Sequence, residues 1–561
     1  LRIHIKNGIV FDPLNDVYGE VMDIFIENGK IVEECKAERT IDASGKLIFP
    51  GGIDIHSHIT GPKVTAGRIL RPEDHRKLVE KRRNGLHSGT GFSIPSTRVT
   101  GYRYARMGYT TVIEAAMPPL EAKHTHEEIS STPIIDIAPL TLFGNNWNVM
   151  EFVRERDYDS LSKFISWMLR TTKGFGVKLV NPGGVENWGW GKDVESIHSK
   201  VLHFDVTPAE IIRGLAISND SLGLPHSIHV HFNNLGHPGN YETTLESMKL
   251  VEDLRGDRQS MHATHLQFHA YGGDSWKNMR SESEKLADYI NKHEHITADM
   301  GQVILGDTTT MTSDGPMEFS LYRLSGRKWS NHDVELETGA GIIPVFYSPK
   351  SAVNSIQWAI GLELGLLIED PWRIFVSTDH PNGGSFLFYP HIISWLMSRK
   401  RREKTLSRVH SAVNSRAILG SIDRERDFGE ICIMTRSGPA KSLGLHRYGK
   451  GHLGIGADAD IAIYDIDPRE VDPSEEHNRI LKAFKKTFCT IKGGEIVSQN
   501  GEILSQPSGR TIWCNVRVEE DEKIMRRIER KFYLNYTVSL SNYPVFDEYL
   551  PSPMEIKIEV K

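Results

Sequence analysis

Phe49-Pro50-Gly51-Gly52-Ile53-Asp54-Ile55-His56-Ser57-His58 is the stretch on which the fold turns. Asp54, His56 and His58 recur at every second position, so in a strand all three side chains leave the same face. An HxH pair taken alone is ordinary polar decoration of a strand. This one follows Pro50-Gly51-Gly52, where one sequence pattern ends and another begins, and that position gives it weight.

Upstream, short alternating segments at 3–5, 8–10, 21–26 and 30–32 are separated by Asn7-Gly8, Asp12-Pro13 and Asn28-Gly29. Asn-Gly between alternating apolar residues is a hairpin signal, so residues 1–50 read as half of a small β-domain. Downstream, apolar runs at 53–58, 110–116, 134–141, 176–180, 227–232, 262–268, 296–303 and 374–379 each precede a loop and a helix-like stretch. Such alternation predicts an α/β fold, a closed parallel (β/α)8 TIM-like barrel over 51–420. Strand-like sequence returns at Gly456-Ala457-Asp458-Ala459-Asp460 and at 490–497. Residues 421–504 therefore supply the second half of the β-domain, with the barrel inserted between the halves. Residues 505–561 form a C-terminal extension with a charged helical stretch at 519–530 and an apolar end at 554–560.

Composition narrows the class. Apolar residues make up 39% of the 561, and 49 Gly bring the share to that of globular chains, so a sizeable core can be buried. A net charge of −6 provides no footprint for a nucleic-acid binder, and no apolar run is long enough to span a bilayer. Leu1–Lys6 lacks the apolar centre of a signal peptide. Cys35, Cys432, Cys489 and Cys514 show no CxxC spacing, which argues against zinc ribbons, iron–sulfur clusters and a disulfide framework. A cytoplasmic protein is expected. The compositional oddity is the 25 histidines.

Several fall on the expected strands beside other ligand types. Lys178, in Gly176-Val177-Lys178-Leu179-Val180, ends a buried strand, where a charged amine is costly and its pKa is lowered. It reads either as a salt-bridged core lysine or as a neutral amine that has captured CO2 as a carbamate able to bridge two cations. His229 and His231 alternate in one strand, and His262, His265 and His269 share another run. The extra histidines read as hydrogen-bonding residues behind the ligands. Asp379 ends its run just before His380-Pro381-Asn382-Gly383-Gly384, the position for general acid/base work in a barrel, although Asp is also a common turn residue. Gly272-Gly273 and Gly383-Gly384 lack the strand–helix context of a phosphate loop.

HxH, Lys, His, His and Asp in this order form the residue set of the amidohydrolase superfamily, which the chain resembles. Its flanks resemble that family too: Ile41-Asp42-Ala43-Ser44-Gly45-Lys46 before the barrel, and Ile491-Lys492-Gly493-Gly494-Glu495 after it. His231-Phe232-Asn233-Asn234 looks like the fifth-strand metal motif of the dihydroorotase/hydantoinase-like branch, and His265-Leu266-Gln267 is the best match to the sixth-strand ligand. The closer resemblance covers nearly the whole chain. It is to the A-subunit family of formylmethanofuran dehydrogenases, on residues 176–184, 226–239, 262–273 and 377–384, on the long segment 60–106 and on the tail.

That resemblance implies two divalent ions, expected to be zinc. One would be held by His56, His58, carbamylated Lys178 and Asp379, the other by Lys178, His231 and His265. Asp379 would be the proton-transferring group. The implied reaction interconverts formate plus methanofuran with N-formylmethanofuran plus water, methanofuran being the substrate. Partners would be iron–sulfur subunits and a tungsten- or molybdenum-pterin, formate dehydrogenase-like subunit, with the tail available for docking. Arg76 and Arg82 in the first long loop, and Arg399 and Arg401 after the last strand, are candidates to hold an anionic substrate tail; a solvated helix face or an intersubunit contact is the plainer reading. Rival expectations are a cyclic-amide hydrolase, a metal-free assembly barrel, and a formylmethanofuran hydrolase subunit of a bacterial formyltransferase/hydrolase complex.

Overall fold

The computed structural model describes residues 1–83, 85–254, 256, 258–331, 341–519 and 522–560. Residues 2–50 and 461–503 build one nine-stranded sheet. Arg2–Asp12 pairs antiparallel with Val17–Glu27 and parallel with Leu47–Pro50. Leu47–Pro50 in turn pairs antiparallel with Ile461–Tyr464, Ile48 opposite Ile463, and that ladder joins the two halves. The face they share is packed with Ile3, Ile5, Ile24, Ile26, Ile48, Ile461 and Ile491, β-branched side chains suited to a pleated surface.

Between the halves lie eight parallel strands in chain order: Gly52–Ser57, Tyr109–Met117, Asp136–Leu142, Gly176–Val180, Ile228–His231, Met261–Ala263, Ile296–Asp299 and Ile374–Phe375. They are buried on both faces, which explains why they read as apolar runs and not as alternation. The His58 N–H donates to His380 O at 2.7 Å, and a parallel bridge between Ser57 and His380 brings the first and last strands together. The sixth, seventh and eighth strands are shorter than the apolar runs that predict them, the seventh ending at Asp299. The sixth stops at Ala263, because His265 takes a left-handed backbone (φ 34) and Leu266–His269 coils into a 3-10 turn. The eighth stops at Phe375, beyond which the Ser377 hydroxyl, not the ladder, accepts from Gly301 N–H at 2.9 Å.

Two features were not expected. An insertion on the carboxyl side of the barrel pairs Gly306–Thr310 with Gly341–Tyr347 and carries the helix Gly315–Ser325. The tail also enters the barrel sheet: Thr511–Arg517 runs parallel to the third strand and is paired along its length by Pro553–Glu559. The expected helix at 519–530 runs Glu522–Asn535, residues 520 and 521 lying outside the described ones. It is clamped by Tyr536 stacked on Trp147 and by Lys531 reaching Glu151 and Glu155 at 2.8 Å each.

A buried ionic cluster ties barrel, sheet and tail together. Asp136 of the third strand meets Lys450, meets Lys492 at 2.8 Å and Arg510 at 3.0 Å, while Asp460 takes Lys450 at 2.6 Å. Burial alone would raise the Asp136 carboxyl, but Lys450 and Lys492 hold it well below its ordinary range. Among the described residues no helix is long and apolar enough to cross a membrane.

Candidate metal centre

At the carboxyl end of the barrel, His56 near the end of the first strand and His58 just past it converge on one carboxylate beyond the last strand. His56 Nε2 is 3.1 Å and His58 Nε2 3.2 Å from Asp379 Oδ1. Asp379 reaches this point through a left-handed backbone (φ 50) just past the eighth strand. His265 Nε2 stands 4.0 Å from Asp379 Oδ2, and its ring lies 5.1 Å from that of His56 and 4.8 Å from that of His231. The structure thus brings His56, His58, His231, His265 and Asp379 to one place. Lys178 is buried with them, under the opposing charges of Asp379 and Asp299.

The electrostatics suit a cation. Burial pushes His56, His231 and His265 well below the ordinary histidine range, so they are neutral and offer lone pairs. Burial likewise lowers the Lys178 amine to about 7. It raises the Asp379 carboxyl, against the pull of His58. Lys178 Nζ, His56 Nε2, His265 Nδ1 and Asp379 Oδ1 are buried without a hydrogen-bond partner among the described residues. Left so, such groups are expensive; a divalent ion among nitrogen and oxygen donors satisfies them together. The residues present therefore fit the metal pair that the residue pattern implies. His269, fully buried, unpaired at both ring nitrogens among the described residues and stacked on His265 at 5.3 Å, is a further candidate donor beside them.

Behind these residues stands a set of outer partners. His58 Nδ1 lies 3.7 Å from Glu114 Oε1, which also accepts from Lys63 Nζ at 2.8 Å. Burial would raise Glu114, but Lys63 and His58 hold it at about 2. His56 Nδ1 is 2.9 Å from His229 Nε2, and His231 Nε2 is 3.0 Å from Asp314 Oδ2. His262 turns away from the mouth to Asp299 Oδ2 (3.1 Å) and Thr297 Oγ1 (2.9 Å). His229 and His262 are thus hydrogen-bonding residues behind the site. Glu114, Asp299 and Asp314 escaped the sequence reading. A lone carboxylate inside the apolar run Thr111-Val112-Ile113-Glu114-Ala115-Ala116 was the signal for the first; nothing local marks the other two.

Two other acidic or histidine triads are already satisfied. His229 hydrogen-bonds His56, while Asp299 accepts from His262 and Ser377 and stands 3.6 Å from His56 Nδ1; Asp136, Asp458 and Asp460 are neutralised by Lys450, Lys492 and Arg510. The four arginine candidates are not brought to the histidines. Arg399 pairs with Glu403 (2.9 Å) and Asp423, Arg401 packs on Trp395 and reaches His391 Nδ1 at 3.0 Å, and Arg76 and Arg82 stand exposed on the segment after the first strand.

A cavity of about 250 Å3 ends on Asp379. Leu235, Phe268, Trp276, Met317, Leu321 and Tyr347 line it, the last three from the inserted helix and sheet, and Leu324 stands exposed at its rim. Among the described residues neither lysine nor arginine lines it.

A family model described as "Amidohydrolase family" matches residues 39–498. The chain is 53% identical to Protein FwdA of Methanocaldococcus jannaschii, over 99% of this chain and 98% of that one. It is 34% identical to the A component of the formyltransferase/hydrolase complex Fhc of Methylorubrum extorquens, over 98% and 97% of the two chains. The crystal structure of the FhcABCD complex from that organism with methylofuran contains a chain that superposes with a TM-score of 0.89 at 33% identity, covering 100% of both. A D-aminoacylase superposes at TM-score 0.50 and 13% identity over 91% of this chain and 99% of its own, a likeness of fold.

Proposed function

The chain belongs to the amidohydrolase family, at 53% identity to Protein FwdA, and from that premise we propose that it interconverts an N-formyl amide of a methanofuran-type primary amine with formate and the free amine. The observation that carries the reading is the apolar cavity ending on Asp379 beneath two imidazoles. A carboxylated cyclic amide such as dihydroorotate needs a cation in its pocket, and none lines this one among the described residues. A linear formyl amide with a flat, apolar neck needs only shape and dryness. The likeness to a chain crystallised with methylofuran supports an amine of that kind.

His56, His58, Lys178 and Asp379 would hold one divalent ion, and Lys178, His231 and His265 the other, with zinc suited to this donor set. In its neutral form the Lys178 amine would add to CO2 through Nζ and release a proton, giving a carbamate that would supply two oxygen donors. When bound, the ions supply Lewis-acid polarisation of the formyl oxygen and bring the acidity of water towards neutrality. Asp379 takes the proton from the attacking water and returns it to the departing amine nitrogen, so one carboxylate serves both half-reactions. The apolar wall from Leu235 to Tyr347 keeps bulk water from the reacting carbon.

Reducing CO2 to formate requires electrons, which none of these side chains carries. We assign that step to a partner, a tungsten- or molybdenum-pterin subunit served by iron–sulfur subunits, and place the assembly in the cytoplasm. Formate would reach this chain through an internal channel, and residues 505–561 are the proposed docking segment. The likeness to the A component of Fhc favours a second reading, in which the same site runs only towards formate. Purified chain given N-formylmethanofuran, and separately hydantoin and dihydroorotate, should release formate from the first and leave the rings closed. Ring opening without formate release would replace this reading by a cyclic-amide hydrolase.

A further inference from the structure

We propose that Asp314, carried on the insertion over the barrel mouth, is a positioning residue that selects the tautomer of His231 and so presents its Nδ1 to a metal ion. This rests on the reading of His231 as a ligand. The argument is one of donors and acceptors, and it starts from a group with no choice. The carbonyl of Pro182 only accepts, and Asn233 Nδ2 donates to it at 3.0 Å. Asn233 Nδ2 also donates to Asn181 Oδ1 at 2.7 Å, which orients the Asn181 amide. Asn181 Nδ2 must then face Asp193 and Asp314, and it donates to the Asp193 carboxylate at 3.2 Å and to Asp314 Oδ1 at 3.1 Å. The same Oδ1 caps the inserted helix by accepting from Met317 N–H at 3.4 Å. Oδ1 is thus committed twice, and Oδ2 is left for His231 Nε2 at 3.0 Å. A carboxylate only accepts, so Nε2 carries the hydrogen and the neutral ring keeps its lone pair on Nδ1.

Replacing the carboxylate by an amide of the same shape reverses the last link. In Asp314→Asn the amide oxygen stays on the side where Met317 N–H demands an acceptor and Asn181 Nδ2 already points, although Asn181 Nδ2 keeps Asp193 as a second acceptor. Its NH2 then faces His231, Nε2 becomes an acceptor, the hydrogen moves to Nδ1, and the lone pair that would bind metal is lost. The helix cap survives, since Asn caps as well as Asp. Asp314→Ser also retains a cap but is too short to place a donor against Nε2, so His231 stays free to ligate. The two explanations of Asp314 therefore predict opposite orders. A purely structural role makes the isosteric Asn variant the milder one, whereas tautomer selection makes it the more severe.

The test uses the full chain stripped of metal and titrated with Zn2+ against a chromophoric chelator, and with Co2+ followed by its visible absorption. Asp314→Asn should bind the second ion about 10–100-fold more weakly than wild type, in line with other partners behind metal-binding histidines. It should change the absorption of one Co2+ of the pair, and it should melt within a few degrees of wild type. Asp314→Ser should bind the second ion more tightly than Asp314→Asn. Two ions bound by Asp314→Asn at wild-type affinity, or the Asn variant proving milder than Ser, overturns the proposal. Two ions retained by His231→Ala would instead overturn the assignment of His231 as a ligand, so the two failures are told apart.

Discussion

His229 Nε2 lies 2.9 Å from His56 Nδ1, inside the barrel and beneath the candidate metal centre. The link continues backwards, with His226 Nε2 at 3.0 Å from His229 Nδ1 and His226 Nδ1 at 3.0 Å from the carbonyl oxygen of Ser442. All three rings are held well below the ordinary histidine range, burial being the chief cause, so all are neutral. The carbonyl can only accept. His226 therefore carries its hydrogen on Nδ1, His229 must donate from Nδ1 to His226, and His56 from Nδ1 to His229. The lone pair of His56 is left on Nε2, the nitrogen that faces Asp379.

His226→Phe removes the acceptor for His229 and leaves a buried donor unpaired. It should destabilise the fold by about 1–3 kcal/mol. Zinc affinity of the His56 site should also fall, by roughly tenfold, the lower end for outer partners of metal ligands. Chelator competition on the purified variant measures this, and wild-type affinity would show that His56 needs no support from below.

Asp379→Asn preserves shape and a ligand oxygen but cannot accept and return a proton. Metal content should stay near wild type while formyl-amide turnover drops by about 10²–10⁴-fold, the usual contribution of a general acid/base. Single-turnover formate release gives the number, and full activity would take Asp379 out of the proton path.

Lys178→Met keeps an apolar stem and loses the amine. Bound metal should fall below two ions per chain, and a carbonyl resonance introduced with 13C-bicarbonate into wild type should be missing from the variant. A wild-type chain that holds two ions in the rigorous absence of CO2 would argue against the carbamate.

Asp136 should govern acid stability. Its folded-state pKa is depressed by Lys450 and Lys492, so its contribution is complete above the unfolded carboxylate value of about 3.9 and is lost as pH falls towards the lower folded value. Wild type should therefore lose thermal stability below about pH 4. Asp136→Asn, which leaves buried ammonium groups undercompensated, should cost roughly 3–5 kcal/mol at pH 7 and show a flatter fall in acid. Equal acid slopes in the two proteins would mean that other carboxylates dominate.

Some of this site was legible because it is local. The two-residue period of Asp54, His56 and His58 is local to the first strand, Gly52–Ser57, and the residue that follows it, and that period marks both imidazoles for one side. Lys178 was marked for the same reason, as a lone amine in a five-residue buried strand, though by itself it read equally as a salt-bridged core lysine. The choice among His262, His265 and His269 was not, since it depends on where the sixth strand stops. A left-handed turn at His265 divides the run, sending His262 down to Asp299 and His265 towards Asp379.

The sequence by itself determined the repeating unit, the insertion of the barrel between two halves of a sheet, and the placing of candidate ligand types near strand ends, because hydrophobic period and turn chemistry act over a few residues. Only the tertiary structure decided which ring nitrogen is free in His56 and in His231. That choice is made by acceptors such as Ser442 O and Asp314 Oδ2, which stand 216 and 83 residues away along the chain from the rings they orient. A hydrogen bond between such distant groups leaves no periodic trace, since folding alone brings its two ends together.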